Sequence, residues 1–555
     1  MKKLYKILLP VMTIFFLYAE SSCKSSNVID LNKVEGEITV KTSKNNWKKT
    51  TTANPISANV FCADPTAIEY EGRLYVYGTN DHEQYLKAPK NTYEKIKSLV
   101  CFSTDDMVNW TYHGEINVGK IAPWIYNSWA PSICSRKEAD GLTHFYLYFS
   151  NSGAGSGVLT ATSPLGPWKS PLNKALVYPG VISATGDKLK NCPNPFDPGV
   201  CIDDNGTGWL SFGAGKADNS TSEFPGSARI VKLGDDMISI ASDFVEIKAP
   251  YLFEASELNF INGTYVYTFN NSWEERNKWS TKTAEKSSAC SMSYMTSKNP
   301  LETDSWIYQG HYFKNPGEMG LNYSNNHTHL HKYAGEWWLF YHTTTLDERA
   351  KTGGGFRSMC VDKVTGSVDE ENVKIKNCQG TREGVSAIKN LNPFENVSGT
   401  CIFTCADTWF ENSESPSNIA TKANADCAWI MVKNVDFADG ASEIKVEAKG
   451  QGKLFVYADN LPKTIEDESA ALAVIEIDDN SYKSIAADFS EKIKGLHDLF
   501  FVFAKKDLCL KSWHCEPIVS VSWGFNSAES LQKHNPGLVA KSAEDVVRLC
   551  STCSS

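Results

Sequence analysis

The stretch GRLYVYG (residues 72–78) carries a pattern that recurs four more times: a turn glycine followed by a strand of aromatic and aliphatic residues. The other copies are GLTHFYLYF from Gly141, GTGWLSF from Gly206, GTYVYTF from Gly263 and GEWWLFYH from Gly335. Successive turn glycines are 69, 65, 57 and 72 residues apart, which suits one four-stranded propeller blade each. The pattern therefore predicts an all-β fold that contains a five-bladed β-propeller.

A chemically useful residue precedes each of these turns. Four of them lie eight or nine residues ahead of their glycine, and the tryptophan lies twelve ahead; they are Asp64, Trp129, Asp197, Glu254 and His327. If each begins the innermost strand of its blade, all five side chains point toward one central axis. The spacing therefore predicts that residues scattered over the chain meet in one pocket.

The N-terminus predicts export. Three lysines precede an apolar run of 11 residues from Leu8 to Tyr18, about half of the ~20 residues that span a bilayer, and small residues lead up to Cys23. This pattern indicates a lipoprotein-type signal peptide over residues 1–22, with lipidation at Cys23. Plain secretion is the alternative. We expect the mature protein at the bacterial cell envelope or surface, or secreted.

Composition divides the remaining chain into further units. The segment at 23–57 is rich in Ser, Asn, Lys and Thr and predicts a flexible tether, and the repeat region at 58–392 is the predicted propeller. Short alternating strands at 393–526 predict a β-sandwich of jelly-roll type. A polar tail at 527–555 completes the chain, with no function indicated.

Charge and cysteine content restrict the partners. The net charge is −10, and it becomes −12 when three lysines and one glutamate leave with residues 1–22. This acidity argues against nucleic acid and against membrane contact other than a lipid anchor, and it suits a neutral polymer. We expect a monomer.

Of the 16 cysteines, Cys401/Cys405, Cys509/Cys515 and Cys550/Cys553 are close enough in sequence to pair, and buried thiols are the alternative.

The three acids suit the hydrolysis of a glycosidic bond. This reaction needs one protonated and one ionised carboxyl group, which differ in burial. Glu254, in an apolar setting, is the predicted general acid, and Asp64 is the predicted base that activates water. Asp197 is predicted to raise the pKa of Glu254 by repulsion and to hold it in position. Glu257 ranks second for the acid role because it lies six residues, rather than nine, ahead of its glycine.

Further side chains are predicted to contact the substrate. Trp129 can form the floor of a sugar pocket, with core packing as the alternative. His327 can bind a cation on the axis or touch substrate, and His329 and His331 are weaker candidates on the same strand. The predicted substrate-binding residues are Trp129, Phe196, Asn325, His327 and Arg357.

The propeller region resembles glycoside hydrolase family 43. The runs that carry the resemblance include ADPTAIEYEGRLYVYGTND, NSWAP, FDPGVCIDDNGTGW, FEASELNFINGTYVYTF, NNHTHLHKYAGEWWLFYH and FRSMCVDK, in the family's order. The resemblance implies a five-bladed propeller, an inverting mechanism, and the same roles for Asp64, Asp197 and Glu254. It implies no cofactor for the chemistry, and a structural Ca²⁺ near the axis that His327 touches directly or through water.

Within that family the chain is most similar to arabinoxylan arabinofuranohydrolases, so the expected activity is exo-acting release of α-L-arabinofuranosyl groups from plant cell-wall arabinoxylan. The alternatives are a β-xylosidase or mixed pentosidase, an arabinan-cutting endo-enzyme, and a non-catalytic surface glycan-binding protein. The second unit resembles carbohydrate-binding module family 6, with Trp429 and Trp513 as sugar-binding candidates.

Overall fold

The structure is a computed structural model that describes residues 41–218, 220–465, 468–521, 538–540, 542 and 545. Almost all regular structure in this part is β, which confirms the predicted class. The α-helices are α1 (Asp81–Tyr85), α2 (Val118–Ile121) and α3 (Thr345–Ala350), and the 3-10 turns are Ser152–Ala154, Thr303–Ser305, Pro316–Met319, Thr365–Ser367 and Glu468–Ala470. None of the helices in the described residues is long and apolar enough to cross a membrane.

Five antiparallel sheets form the blades of the propeller, one for each copy of the repeat. In each copy the turn glycine joins the first two strands of a blade. The strands are β1 (Ala63–Tyr70), β2 (Arg73–Thr79), β3 (Leu99–Thr104) and β4 (Trp110–Ile116) in blade 1; β5 (Trp129–Lys137), β6 (Thr143–Ser150) and β7 (Ser156–Ala161) in blade 2; β8 (Gly199–Ile202), β9 (Gly208–Phe212), β10 (Arg229–Lys232) and β11 (Val245–Glu246) in blade 3; β12 (Leu252–Ile261), β13 (Thr264–Asn271), β14 (Met292–Ser297) and β15 (Ile307–Phe313) in blade 4; and β16 (Thr328–Tyr333), β17 (Glu336–Thr343) and β18 (Ser358–Lys363) in blade 5, which a hairpin of β19 (Val368–Asp369) and β20 (Lys374–Ile375) follows.

A hydrophobic core lies between each pair of neighbouring blades. Tyr77 and Phe145, for example, share a core between blades 1 and 2, whereas Val76 and Phe340 share one between blades 1 and 5. The other three neighbouring pairs each have a core of their own. The last blade therefore packs against the first, and the ring is closed by apolar burial.

The blades differ from the predicted four strands each. Blades 3 and 4 have four, but blades 2 and 5 have three in the described residues, and blade 1 gains a fifth. After β7, isolated bridges such as Thr160 to Lys169 take the place of a continuous strand. This stretch contains Pro164, Pro167 and Pro171, which have no N–H to donate to a ladder.

The second unit is a nearly closed sheet of sandwich type. Its strands and those that flank it are β21 (Val397–Ser398), β22 (Cys401–Ile402), β23 (Thr404–Ala406), β24 (Thr408–Glu411), β25 (Ala420–Ala423), β26 (Ala428–Asp436), β27 (Ala441–Ala458), β28 (Ala473–Ile493), β29 (Leu496–Phe503), β30 (Cys509–Pro517), β31 (Val519–Val521) and β32 (Leu538–Ala540). Strand β22 pairs with β4 and is the fifth strand of blade 1. Trp429 and Trp513 are buried in the core, so neither offers a ring face to sugar.

Residues 41–57 were predicted to belong to a flexible tether, and here the structure differs. The Thr42 amide donates to the Lys463 carbonyl (3.1 Å) in the second unit, whereas the Ile56 amide donates to the Met359 carbonyl (2.9 Å) in blade 5. Trp47 stacks on Phe61 with ring centroids 5.5 Å apart. The few residues that attach this segment could not be recognised in its polar composition. The segment contacts both the second unit and blade 5.

Other predictions concern the two ends of the chain and the cysteines. The signal peptide, Cys23 and nearly all of the tail lie outside the described residues. The thirteen cysteines that the structure does describe are free and buried, which favours the thiol alternative for Cys401, Cys405, Cys509 and Cys515.

Candidate active site

The inner strands begin with a backbone irregularity that aims side chains into the pocket. Asp64, Ala130, Asp197 and Ala255 have φ of 50°, 35°, 51° and 59°, in the left-handed region that non-glycine residues rarely adopt. In β1, β5 and β12 the strand register shifts at this point. Such bulges re-aim side chains at sheet rims. The same distortion thus recurs in four blades, at or beside the predicted residues.

Asp64 is buried and held from several sides. Its Oδ1 accepts from Arg357 Nη1 (2.8 Å) and its Oδ2 from Thr79 Oγ1 (2.7 Å). Burial alone would raise the pKa of this carboxyl, but the Arg357 charge, helped by His342, His327 and the Thr79 hydrogen bond, lowers the pKa to about 2. Asp64 is therefore ionised across the physiological pH range.

Arg357 was predicted to bind sugar hydroxyls, but its guanidinium is 4% exposed and engaged by two acids. Besides Asp64, it contacts Asp81 through Nε to Oδ2 and Nη2 to Oδ1, both at 2.9 Å. The Tyr93 ring lies 4.9 Å from the guanidinium carbon. Arg357 thus lies in the site, where it acts on the carboxylates.

Glu254 has the opposite electrostatic setting. It lies in β12, partly exposed, at a position where the pairing with β13 is interrupted. Burial and then repulsion by Asp64 raise its pKa to about 7, against the opposing effects of Arg357 and a hydrogen bond with Asn325. The site therefore pairs an ionised carboxylate with a carboxyl group that still carries its proton near neutrality.

Asp197 is joined to both neighbouring blades. Its Oδ1 accepts from Ser150 Oγ (3.1 Å), and its Oδ2 accepts from the Ala255 amide (2.7 Å), directly after Glu254. Burial and then Glu254 raise the pKa of Asp197 well above its usual range. Asp197 and Glu254 therefore repel each other when both are ionised, and repulsion by Asp64 also raises the pKa of Glu254.

Glu257, the second candidate for the acid, lies deeper on the axis. Its side chain is 1% exposed, and its Oε1 accepts from Ser132 Oγ (2.9 Å). Its Oε2 lies 3.2 Å from His329 Nδ1, and His329 Nε2 lies 3.3 Å from His331 Nδ1. These side chains fill the axis below the pocket, and Glu257 has no open face for a substrate.

Trp129 and Phe196 lie at the site, half-buried. The Trp129 indole donates to the Tyr93 carbonyl (3.1 Å), and the two rings meet edge to face at 6.2 Å. The Phe196 carbonyl accepts from the Gly213 amide (2.9 Å), which fixes the backbone just before Asp197. Trp129 thus borders the pocket together with Tyr93.

The remaining predicted residues, His327 and Asn325, connect the acid and the base. His327 Nδ1 lies 3.6 Å from Asp64 Oδ1, and burial lowers the pKa of His327, which keeps the ring neutral. His342 Nδ1 accepts from the Asp64 amide (3.2 Å), while its Nε2 donates to the Asn325 carbonyl (2.9 Å). His342 therefore links the strand of the base to the residue that hydrogen-bonds Glu254.

The protein donors around His327 are too few to hold the predicted calcium ion by direct coordination. Calcium requires six to eight oxygen ligands. Both oxygens of Asp64 and both of Glu257 are already engaged by neighbouring side chains. In the described part of the chain, no three His, Cys, Asp or Glu residues gather as a metal site would require. Direct coordination by these residues is therefore not supported.

Four contributors were missed by the sequence reasoning: Thr79, Asp81, Ser150 and His342. A signal existed for three of them, because the quoted hydrophobic strands β2, β6 and β17 end at or next to a polar residue that faces the site. Asp81 ends the quoted run ADPTAIEYEGRLYVYGTND, but nothing in the sequence indicated its role, because its partner Arg357 lies 276 residues away.

Three comparisons place the chain among known proteins. The model of the glycosyl hydrolases family 43 matches residues 52–370. An arabinoxylan arabinofuranohydrolase of Paenibacillus polymyxa is 34% identical over 416 residues, which cover 70% of this chain and 62% of that protein. The chain thus spans less than two thirds of this relative's length.

A second arabinoxylan arabinofuranohydrolase, from Bacillus subtilis (strain 168), is 34% identical over 483 residues, 81% of this chain and 89% of that protein. A solved structure of a family 43 arabinoxylan arabinofuranohydrolase from Bacillus subtilis, in complex with cellotetraose, matches with a TM-score of 0.76 at 30% identity. The match covers 85% of this chain and 99% of that one.

Proposed function

The chain belongs to the glycosyl hydrolases family 43, and we propose that this glycosidase removes α-L-arabinofuranosyl side groups from arabinoxylan. The two relatives with 34% identity are arabinoxylan arabinofuranohydrolases, which supports this substrate. The observation that carries the proposal is the unequal pair of carboxyl groups, with pKa values of about 2 for Asp64 and about 7 for Glu254.

In the proposed mechanism Glu254 donates its proton to the glycosidic oxygen as the bond to the sugar breaks. Asp64 accepts a proton from a water molecule, which attacks the anomeric carbon from the opposite face. The product sugar therefore has inverted configuration, and the two carboxyl groups end with their protonation exchanged. Asp197 accepts a hydrogen bond from the amide that follows Glu254 and so fixes the backbone there. It also titrates together with Glu254. No step is assigned to a metal ion.

The N-terminal sequence also supports a proposal for where the protein is located. We place the protein outside the cytoplasm, carried there by the N-terminal signal and anchored by a lipid at Cys23. A β-xylosidase or mixed pentosidase remains the second candidate, because loops around one scaffold decide which pentose is accepted.

The test replaces the acid and preserves its shape. In Glu254→Gln the proton donor is lost, so we expect kcat for arabinose release from arabinoxylan to fall by about 10²- to 10⁴-fold. Binding to the polymer, measured by affinity electrophoresis, should persist. Glu302→Gln, at an exposed position that directly precedes the 3-10 turn Thr303–Ser305 in blade 4, is the matched control.

NMR of the freshly released sugar gives the stereochemical outcome. Inverted arabinose is the expected product. Release of xylose instead of arabinose would favour the second candidate, and release of neither pentose by the wild type would contradict the proposal.

A further inference from the structure

A cavity of about 290 Å³ lies at the junction of the propeller and the second unit. The segment at 41–57 lines it with Asn45 and Trp47, the helix α1 of blade 1 with His82 and Tyr85, and the second unit with Trp409. None of the acids of the catalytic pocket lines this cavity. Its volume is close to the lower end of the range of ~300–1,000 Å³ for small-molecule sites, so it suits a ligand of the size of a sugar unit.

Aromatic rings form much of the wall of this cavity, and neighbouring rings hold them in place. The Trp47 ring stacks on Phe61 with centroids 5.5 Å apart and meets Tyr85 edge to face at 6.4 Å. The Trp409 ring stacks on His82 at 4.2 Å. Both tryptophans are half-buried, so each has one packed face and some surface that stays open. Fixed aromatic surface of this kind suits the apolar C–H faces of a sugar ring.

Three asparagine side chains supply polar groups beside these rings. Asn45 Nδ2 donates to Asp407 Oδ1 (2.6 Å), and Asn59 Nδ2 donates to the Thr408 carbonyl (3.1 Å). The Asn424 backbone amide donates to the Asp407 carbonyl (2.8 Å), and its exposed side chain has no hydrogen-bond partner among the described residues. Because an amide side chain has two donors and one acceptor oxygen, each asparagine keeps hydrogen-bonding capacity for a hydroxyl group.

The charge of the lining favours a neutral ligand. Among the described residues that line the cavity there is no lysine or arginine to pair with a phosphate or a uronate. The carboxylate of Asp407 accepts from Ser43 Oγ and Asn45 Nδ2, so both of its oxygens are already engaged. Burial lowers the pKa of His82 to about 3, which keeps that ring neutral. Aromatic faces and amides without a free charge are the groups that recognise a neutral sugar.

The cavity and the catalytic pocket are distinct sites that share the helix α1. Asp81, the first residue of this helix, binds the Arg357 guanidinium through both carboxylate oxygens at 2.9 Å. His82 and Tyr85, which follow in the same helix, line the cavity instead. A ligand in the cavity therefore leaves the catalytic pocket free.

We propose that this cavity is a second, non-catalytic sugar site, which takes the terminal unit of a neutral pentose oligosaccharide. Trp47 and Trp409 lie against the faces of the sugar ring, and the amides of Asn45, Asn59 and Asn424 bind its hydroxyl groups. The choice of a pentose rests on the proposed function, whereas the cavity and its chemistry do not depend on it.

The test observes the cavity directly, by ¹⁹F NMR of Glu254→Gln protein labelled with 5-fluorotryptophan. The Trp409 resonance, assigned with Trp409→Phe, should shift in a saturable way as xylotetraose is added. The Trp129 resonance reports on the catalytic pocket in the same titration.

An exposed amide provides a variant with little effect on folding. In Asn424→Ala a hydrogen bond to the sugar is lost, so we expect the Kd measured at the Trp409 resonance to rise roughly 2- to 10-fold. Asn480→Ala, at an exposed position in β28 that does not line the cavity, is the matched control and should leave this Kd unchanged. With Glu254 intact, both variants should keep the wild-type kcat and KM for an aryl α-L-arabinofuranoside.

The outcomes separate the two proposals. A Trp409 resonance that stays fixed throughout the titration would overturn the second site, as would equal Kd values for Asn424→Ala and Asn480→Ala. A shift caused by choline but not by xylotetraose would overturn the assignment to a sugar. Failure of the wild type to release arabinose from arabinoxylan, with the Trp409 titration intact, would overturn the proposed function and leave the second site in place.

Discussion

At the scale of single residues, the site depends on how charges are distributed around one arginine. Arg357 lies between Asp64 and Asp81, with its donors 2.8–2.9 Å from their oxygens. A buried guanidinium bound in this way serves as a fixed positive charge. Its effect is to keep the base ionised although the carboxyl is buried, which by itself would favour protonation.

Removal of that charge should move the acidic limb of the pH profile. In Arg357→Met, burial raises the pKa of Asp64, and because the base must be ionised, activity is lost as pH falls through the raised pKa. We expect kcat/KM at pH 4 to be about tenfold lower than at pH 6. The wild type, whose Asp64 pKa is about 2, should show no such loss over this range.

Two variants control this experiment. Arg357→Lys keeps the positive charge and should keep the limb at low pH, whereas Arg382→Met removes a surface arginine that pairs with Glu348. An acidic limb that stays in place in Arg357→Met would show that the charge does not set the Asp64 pKa.

The basic limb has a separate origin. Glu254 must be protonated to act, and its pKa is about 7. Activity should therefore decline as pH rises through 7, with an apparent pKa that belongs to Glu254 and Asp197 together.

At the scale of strands and turns, much of the architecture could be predicted from the sequence. The five turn glycines indicated the blades, and the residue predicted ahead of each glycine lies within two positions of the start of an inner strand. The pattern could not show the strand count of each blade, because that depends on local prolines and on β22, which arrives from beyond residue 392. It also placed Arg357 in the site without its partner Asp81, because only the closed ring brings them together.

The contact between the inner strands of blades 3 and 4 can be tested at one glycine. A Cβ on Gly199 would lie 2.4 Å from the Glu257 Cα and 2.7 Å from the Leu258 nitrogen, and backbone cannot yield as a side chain can. We expect Gly199→Ala to reduce the free energy of unfolding by about 1–3 kcal/mol, through overpacking. A thermal denaturation curve recorded by circular dichroism would show this loss of stability as a lower Tm.

Gly366→Ala is the matched control, because an added Cβ there meets nothing within 4 Å. Equal Tm values for Gly199→Ala and the wild type would mean that the two strands are less closely packed than described.

At the scale of the whole molecule, the propeller and the second unit are joined by shared structure. One hydrophobic core contains residues of blade 1, blade 5 and the sandwich, and β22 extends the sheet of blade 1. Residues 41–57 run across both units, and within this segment Lys48 is completely buried. Among the residues that the structure describes, its Nζ has no hydrogen-bond partner, and it lies 4.5 Å from the centre of the Phe403 ring.

This lysine should make stability depend on pH. Burial lowers the Lys48 pKa from 10.5 to about 7, so between these values the unfolded chain binds a proton that the folded protein does not. The free energy of unfolding should therefore rise with pH from about 7 to 10.5 through this group. We expect Lys48→Met to raise Tm at pH 6, where the buried amine must otherwise be charged, and to reduce the gain in Tm between pH 7 and pH 9.

Lys49→Met is the control, because the neighbouring lysine is exposed. A Lys48→Met protein with the Tm values of the wild type at both pH values would show that the amine reaches solvent or a counter-ion. No sequence pattern marked Lys48, which lay in a segment that resembled a solvated tether.

The buried thiols give the molecule a property of practical use. Burial raises the pKa of the Cys62, Cys134 and Cys515 thiols, among others, so the reactive thiolate is scarce in the folded protein. A maleimide dye added to the native enzyme would label a described cysteine only after the surrounding strands had separated. The rate of labelling thus becomes a clock for opening, and mass spectrometry of the labelled peptides would show which blade opens first.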